Sequence, residues 1–219
     1  MAELGVCGYC GRLKQLLVVE EPGCGCCADC RPLAEKLAVE HQQLLDHYRA
    51  QPGDPSLIPM SWQAALGAVH EFLGEEMDCN PEDSIEAATW WYIPIGWIGC
   101  CGFAVRKTDG EVTQFGSAHG LGAWLWGFAH GAVANGPVDL TITSVSDEAA
   151  TIEFLHLLGR RNPFNPGAQN SMPSWSELRA LISNAPCTFP RVILWPTLDE
   201  LKKRHDAGHF EFTAKRNDE

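Results

Sequence analysis

The chain has 219 residues, of which 45% are hydrophobic, and a formal net charge of -12 at pH 7. This length and composition are typical of a soluble globular protein with one sizeable core and a small additional module. The acidic balance disfavours nucleic acid as a general partner, because phosphate binding needs clustered Lys and Arg. The first residues, MAELGVCGYC, lack the basic start and the apolar segment of a secretory signal, so we expect a cytoplasmic protein.

The cysteines are concentrated near the start of the chain, where six of the ten lie within residues 7–30. Two C-x-x-C pairs in this stretch predict a zinc site, because zinc prefers a closed tetrahedral shell of four thiolates and each pair presents two of them on one tight turn. The predicted ligands of this structural zinc are Cys7, Cys10, Cys27 and Cys30. Cys24 and Cys26 adjoin the second pair and remain alternative ligands.

The residues around these pairs predict a treble clef over residues 1–51. After Cys30, apolar residues recur at helical spacing until the PGDP sequence at 52–55, so the second pair opens a helix. The positive end of that helix would favour deprotonated sulfur. Between the pairs, KQLLVVEEPGCG predicts a short hairpin that turns at Pro22-Gly23.

The sequences CGYCGR, LLVV, the Pro-Gly turn and CADC running into an amphipathic helix resemble the zinc-binding domain at the front of the Clp unfoldase ClpX. The resemblance covers residues 5–50. It implies a zinc module that recruits partners or holds proteins together and performs no chemistry, with the same four cysteines as ligands. The chain contains no P-loop, so we expect no unfoldase activity.

Residues 50–105 contain eight acidic residues and no Lys or Arg. Such a block is either a solvated helix face with its neighbouring loop, or a docking surface for a basic protein, whose approach it would accelerate. The residues that we predict to contact a partner are Glu71, Glu75, Glu76, Asp78, Glu82, Asp83 and Glu86, together with Trp97, Trp124 and Trp126.

Residues 60–133 predict a helix followed by an antiparallel sheet. From Met60, apolar residues at helical spacing predict a helix of about sixteen residues, with one side facing the core. Residues 85–105 are strongly apolar, but Pro94 and several glycines interrupt them, so two strands are expected and no membrane helix. Asp109-Gly110 then predicts a hairpin turn, and an aromatic short helix or loop follows.

This helix, the Trp-rich strand and the hairpin sequence G-F-A-V-R-K-T-D-G-E-V, followed by F-G-S, are similar to the immunity proteins of bacterial polymorphic toxin systems. The closest pattern is that of the YrhB-like family, over residues 60–130. The resemblance implies a protein that binds and neutralises a toxin domain.

Residues 134–219 predict further α/β structure that packs on the same core. The predicted elements are a strand at 138–146, a helix at 147–161, a helix at 174–184 capped by Ser174 or Ser176, a buried strand at 188–195 and a last helix that begins with a capping-box pattern, TLDE. The expected fold class is therefore α+β, with a treble-clef zinc finger followed by a domain whose mainly antiparallel sheet is packed by helices.

The sequence contains no motif that predicts catalysis. Gly116 to Gly120 include Ser117 and His119, but they lack the G-x-S-x-G pattern and an orienting acid, so a structural turn is expected. A pocket that places His119 or His130 beside an acid would favour an enzyme.

Three functions follow from these patterns. We expect an intracellular immunity-type protein that occludes the basic active site of a cognate bacterial toxin domain. The alternatives are a zinc-dependent adaptor or nucleic-acid-binding regulator, and an enzyme whose site is built from residues distant in sequence. The sequence does not predict the oligomeric state.

Overall fold

The computed structural model describes residues 3–6, 13–17, 26–49, 60–95, 100–161 and 173–216. The chain divides into two compact units, residues 1–52 and 53–219. Both units combine helices with antiparallel sheets, which confirms the expected α+β class at this level. Within these ranges no helix combines the length and apolar character needed to cross a bilayer.

The first unit is a three-stranded sheet followed by a long helix. Strand β1 (Glu3–Val6) pairs with β2 (Leu13–Leu17), which pairs with β3 (Cys26–Cys27), and all pairing is antiparallel. One 3-10 turn (Ala28–Cys30) joins β3 directly to α1 (Arg31–Arg49). The prediction that a helix follows the second cysteine pair is confirmed, whereas β1 was not predicted.

The second unit contains a four-stranded antiparallel sheet with the order β4-β5-β6-β7. Its strands are β4 (Ile85–Glu86), β5 (Trp90–Ile93), β6 (Cys100–Arg106) and β7 (Val112–Gly116). The predicted pair of strands is confirmed, and all four residues of β5 are buried. The predicted hairpin is also present, since Gly110 has a φ of 75° and donates its N–H to Arg106 O at 2.9 Å.

Helices cover both faces of this sheet, which explains its continuous apolar sequence. Helix α2 (Trp62–Leu73) packs on one face through Ala65 and Val69, and α3 (Leu121–Ala129) packs on the other. Helix α2 has twelve residues and is shorter than predicted, because Gly74 adopts a φ of 74° and ends it.

A second, three-stranded sheet has the order β10-β8-β9. Its strands are β8 (Val138–Val145), β9 (Cys187–Val192) and β10 (Phe210–Arg216), and both neighbours of β8 are antiparallel to it. The remaining helices are α4 (Glu148–Arg161), α5 (Trp175–Ile182) and α6 (Leu198–Asp206). Of the two predicted caps of α5, Ser174 is the one that the structure shows, and with Glu177 it forms a capping box.

Two predictions about this part of the chain are wrong. Strand β9 ends at Val192 and lies at an edge of the sheet, so its side chains alternate between half-buried and exposed instead of being buried throughout. Thr197 precedes α6 but makes no capping bond, because its hydroxyl donates to Leu194 O at 3.1 Å within the preceding 3-10 turn.

Candidate functional site

The predicted acidic surface lies at the end of α2 and in the segment that leads to β4. In the described structure it comprises seven exposed carboxylates, which belong to Glu71, Glu75, Glu76, Asp78, Glu82, Asp83 and Glu86. No Lys or Arg occurs in residues 60–95, so nothing within the segment neutralises this charge.

Most of these carboxylates lack an ionic partner. Glu86 accepts from Lys107 Nζ at 2.9 Å. In the described part of the chain, no ion pair involves Glu71, Glu75, Glu76, Asp78 or Asp83. Two of these acids directly follow the cap of α2, where the negative end of the helix dipole costs each about 0.3–1 kcal/mol. The placement therefore does not serve the stability of the helix.

An aromatic side chain lies among these charges. Phe72 in the last turn of α2 is 50% exposed, and its inner edge contacts Phe103 with ring centroids 5.9 Å apart. The half-exposed ring is immediately preceded by Glu71 and followed within one turn by Glu75 and Glu76. Phe72 is therefore an exposed aromatic residue with acidic residues on both sides of it in the sequence, and aromatic side chains that become buried in a complex often contribute much of its binding energy.

The tryptophans that were predicted to contact a partner are placed differently. Trp124 and Trp126 in α3 are only 5% and 8% exposed. The Trp124 indole donates to Gly116 O at 2.6 Å and stacks on Phe115, so it belongs to the core that holds α3 against the sheet. Trp97 lies outside the described residues.

His119 lies beside an acid, as an enzyme would require, but both of its ring nitrogens are engaged. Nδ1 is 2.6 Å from Asp199 Oδ2, and Nε2 is 2.7 Å from Trp195 O. Both partners can accept a hydrogen bond from the ring, so both of its nitrogens are engaged within the protein. The geometry is that of a clamp between the turn before α3 and the start of α6.

His130 is also held by the protein. Its Nδ1 lies 2.7 Å from Trp126 O, and its ring stacks on the Trp126 indole with centroids 4.5 Å apart. The neighbouring imidazole of His205 is 5.5 Å away, between centroids, and its Nε2 lies 3.3 Å from Glu211 Oε2.

The free thiols of the second unit are poor nucleophiles. Burial raises the pKa of the thiols in Cys79, Cys101 and Cys187, which keeps them protonated at neutral pH. Cys100 is 8% exposed, and its sulfur contacts the backbone of Gly102.

The predicted zinc site is only partly visible. Cys27 ends β3 and Cys30 ends the 3-10 turn that leads into α1, whereas Cys7, Cys10 and Cys24 lie outside the described residues. Among the side chains that the structure describes, no group of three His, Cys, Asp or Glu residues is arranged to hold a metal ion. The zinc site therefore stays a prediction.

Comparison with known proteins gives no match to a family model, to a curated protein or to a solved structure. The function must therefore be inferred from the geometry. The acidic surface was predicted from the sequence. Phe72 was not, because helical spacing places it next to a core position. Asp199 was not predicted as a partner of His119, because the two residues are distant in the chain.

Proposed function

We propose that this protein is an intracellular immunity-type protein of a bacterium, which binds a basic protein through residues 71–86 and neutralises it. The partner would be a cognate toxin domain, and binding would cover its active site. The observation that carries the proposal is that the exposed carboxylates of Glu71, Glu75, Glu76, Asp78 and Asp83 have no ionic partner among the described residues, and that the exposed Phe72 lies in the same stretch of chain. The resemblance to immunity proteins predicted from the sequence of residues 60–130 supports a toxin domain as the class of partner.

The charge and the ring would have different roles in such a complex. Carboxylates at the end of α2 and before β4 would attract a basic surface over several ångströms and raise the association rate, an effect that salt weakens. The Phe72 ring would be desolvated in the complex and would slow dissociation. A cleft that binds phosphate or nucleic acid is basic, so the same acids would compete with its substrate.

The first unit is proposed to be a treble-clef module with structural zinc. The pairing of β2 with β3 and the direct passage from β3 into α1 support it, because they place Cys27 and Cys30 at the junction of a hairpin and a helix. Together with Cys7 and Cys10 they would supply four thiolates, the donor set that zinc prefers. Bound zinc would stabilise the fold of the unit and would perform no catalysis.

A zinc-dependent adaptor is the second candidate, and the same strand-to-helix junction favours it. In that case the first unit, and not residues 71–86, would carry the partner. The two candidates therefore predict different effects of the same substitutions.

The test is to identify the partner at low salt from the native host and to measure its affinity for a triple variant, Glu71→Gln, Glu75→Gln and Glu76→Gln. We expect a basic protein that binds in a fixed ratio, whose toxic activity is inhibited, and whose affinity falls at least about tenfold in the variant. Most of the loss should appear in the association rate.

The control carries the same charge change elsewhere, as Glu35→Gln, Glu40→Gln and Glu211→Gln. Two of these glutamates form exposed pairs one helical turn apart in α1, and such pairs contribute little stability. An equal loss of affinity in both variants would show that the effect comes from net charge alone and not from the position of the glutamates. A partner that binds both variants as tightly as the parent would contradict the proposal.

The zinc module is tested separately by measuring the metal content of Cys10→Ser and of the control Cys79→Ser. We expect one zinc per chain in the parent and in the control, and none in Cys10→Ser, in which the first unit should unfold while residues 53–219 keep their unfolding transition. Full zinc content in Cys10→Ser would contradict this ligand assignment, and Cys26→Ser would then show which alternative cysteine binds.

A further inference from the structure

The second unit contains a cavity of about 490 Å³ beside the free edge of β7. The edge residues Thr113 and Gln114 form one wall, Trp195 and Asn135 lie among the others, and no residue that lines the cavity carries a charged side chain. The volume is within the roughly 300–1,000 Å³ of typical ligand sites. This site is separate from residues 71–86 and its argument does not depend on them.

The backbone of β7 turns hydrogen-bonding groups toward this edge. Arg106 N donates to Glu111 O at 2.9 Å, so these two residues are a hydrogen-bonded pair. Bonded and non-bonded pairs alternate in antiparallel strands, and the next bonded pair is therefore Ala104 with Thr113. Val112 and Gln114 consequently point their N–H and C=O away from β6. In the described part of the sheet β7 has no neighbour on that side.

The outward carbonyl of Val112 already has a hydrogen-bond partner. Asn135 Nδ2 donates to Val112 O, which stops further pairing at that end of the strand. Among the residues that the structure describes, nothing bonds to the outward N–H and C=O of Gln114, which offer one donor and one acceptor beside the cavity. This pair suits the N–H and C=O of one residue of an added antiparallel strand.

The hydroxyl of Thr113 is a polar group in the same strand. Thr113 is 3% exposed, and its hydroxyl is buried without a hydrogen-bond partner in the described structure. Because this oxygen is closed to solvent, a ligand in the cavity is expected to contact the Gln114 backbone and Trp195 and not this hydroxyl.

The apolar part of the cavity determines which kind of side chain a ligand can place there. Trp195 is 38% exposed although its ring is large, and the carbonyl of the same residue is fixed by His119 Nε2 at 2.7 Å. The clamp formed by His119 thereby fixes the backbone from which this side chain extends. A neutral aliphatic side chain would cover the indole, whereas a charged group would lose its hydration without finding an opposite charge.

We propose that this cavity binds a short, uncharged peptide segment in extended conformation, which adds to β7 at Gln114 and packs an aliphatic side chain on Trp195. The probe is N-acetyl-L-leucine methylamide, which presents the N–H and the C=O of one neutral residue. A probe of this size is expected to bind with a Kd of about 1 mM.

Binding is measured by NMR titration of the indole N–H signals, with Trp195 assigned through Trp195→Phe. Methylation of the leucine nitrogen in the probe should weaken binding about three- to tenfold, because it removes the donor to Gln114 O. Thr113→Val preserves shape and should leave binding unchanged, because the hydroxyl is closed to the cavity. Trp195→Ala should abolish measurable binding, whereas Trp175→Ala, which removes another exposed indole, should not change it.

Two results would overturn the proposal. The first is equal binding of N-acetyl-leucinate, whose carboxylate the neutral cavity should reject. The second is no loss of affinity when the probe nitrogen is methylated. Neither result depends on the acidic surface, so the two proposals fail independently.

Discussion

Gly131, which follows α3, is a position where a single added methyl group should strongly lower stability. Its φ is 71°, and a Cβ built there would lie 2.6 Å from Ala214 O in β10. The left-handed conformation costs a non-glycine residue about 1–2 kcal/mol. Overlap with a backbone atom cannot be relieved by a rotamer change, and overpacking of this kind costs about 1–3 kcal/mol more. We therefore expect Gly131→Ala to lower the free energy of unfolding by about 2–5 kcal/mol.

Gly208 provides a matched control, because its φ is 70° but no atom lies within 4 Å of the position of its Cβ. Gly208→Ala should cost only the conformational term of about 1–2 kcal/mol. Urea unfolding followed by tryptophan fluorescence gives the free energy of unfolding of both variants. In thermal unfolding, each kcal/mol lost should lower the Tm of a chain of this size by roughly 2–4 °C. Equal losses in the two variants would refute the close packing of the turn after α3 on β10.

Three further perturbations test other contacts. His119→Ala removes two hydrogen bonds and should lower the free energy of unfolding by about 1–3 kcal/mol, and unchanged stability in urea would contradict the clamp. The hydrogen bond from Arg204 lowers the pKa of Glu200, so its stabilisation is present above the unfolded-state pKa and is lost as pH falls through the folded-state value. Glu200→Gln should therefore make unfolding in urea less dependent on pH below about 4.3, and an unchanged pH profile would count against the pair. Three thiols should react slowly with iodoacetamide at pH 7, because burial raises their pKa. They belong to Cys79, Cys101 and Cys187. Their labelling at the rate of an unfolded control would refute this.

Elements with a local signal were predictable from sequence. Asp109-Gly110 specifies its hairpin because Gly110 supplies the positive φ that the turn needs, and Ser174 with Glu177 specifies a helix start through a bond between neighbours. At Thr197 the same type of pattern failed. The preceding 3-10 turn offered the hydroxyl a carbonyl, and local competition of this kind is invisible in a motif.

The candidate sites divide in the same way. The acidic surface was predictable because its residues are contiguous in the chain. The cavity beside β7 was not, since it depends on which strand lies at the edge of the sheet, on the parity of its hydrogen bonds and on Trp195, which is brought there from a distant part of the chain. The burial of Trp124 likewise depends on the packing of α3, which a count of tryptophans does not predict.

The order of strands in the second sheet has a consequence for biosynthesis. The sheet β4-β5-β6-β7 pairs sequential strands, so each strand can join as it leaves the ribosome. Strand β8, with the sequence VDLTITSV, has β9 on one side and β10 on the other, and both are translated after the helix α4. Until they emerge, a segment of high strand propensity has two unpaired edges. A nascent chain halted before Phe210 should therefore recruit holding chaperones or aggregate. Once the ribosome has released β10, the edges of β8 should be paired and this tendency should end.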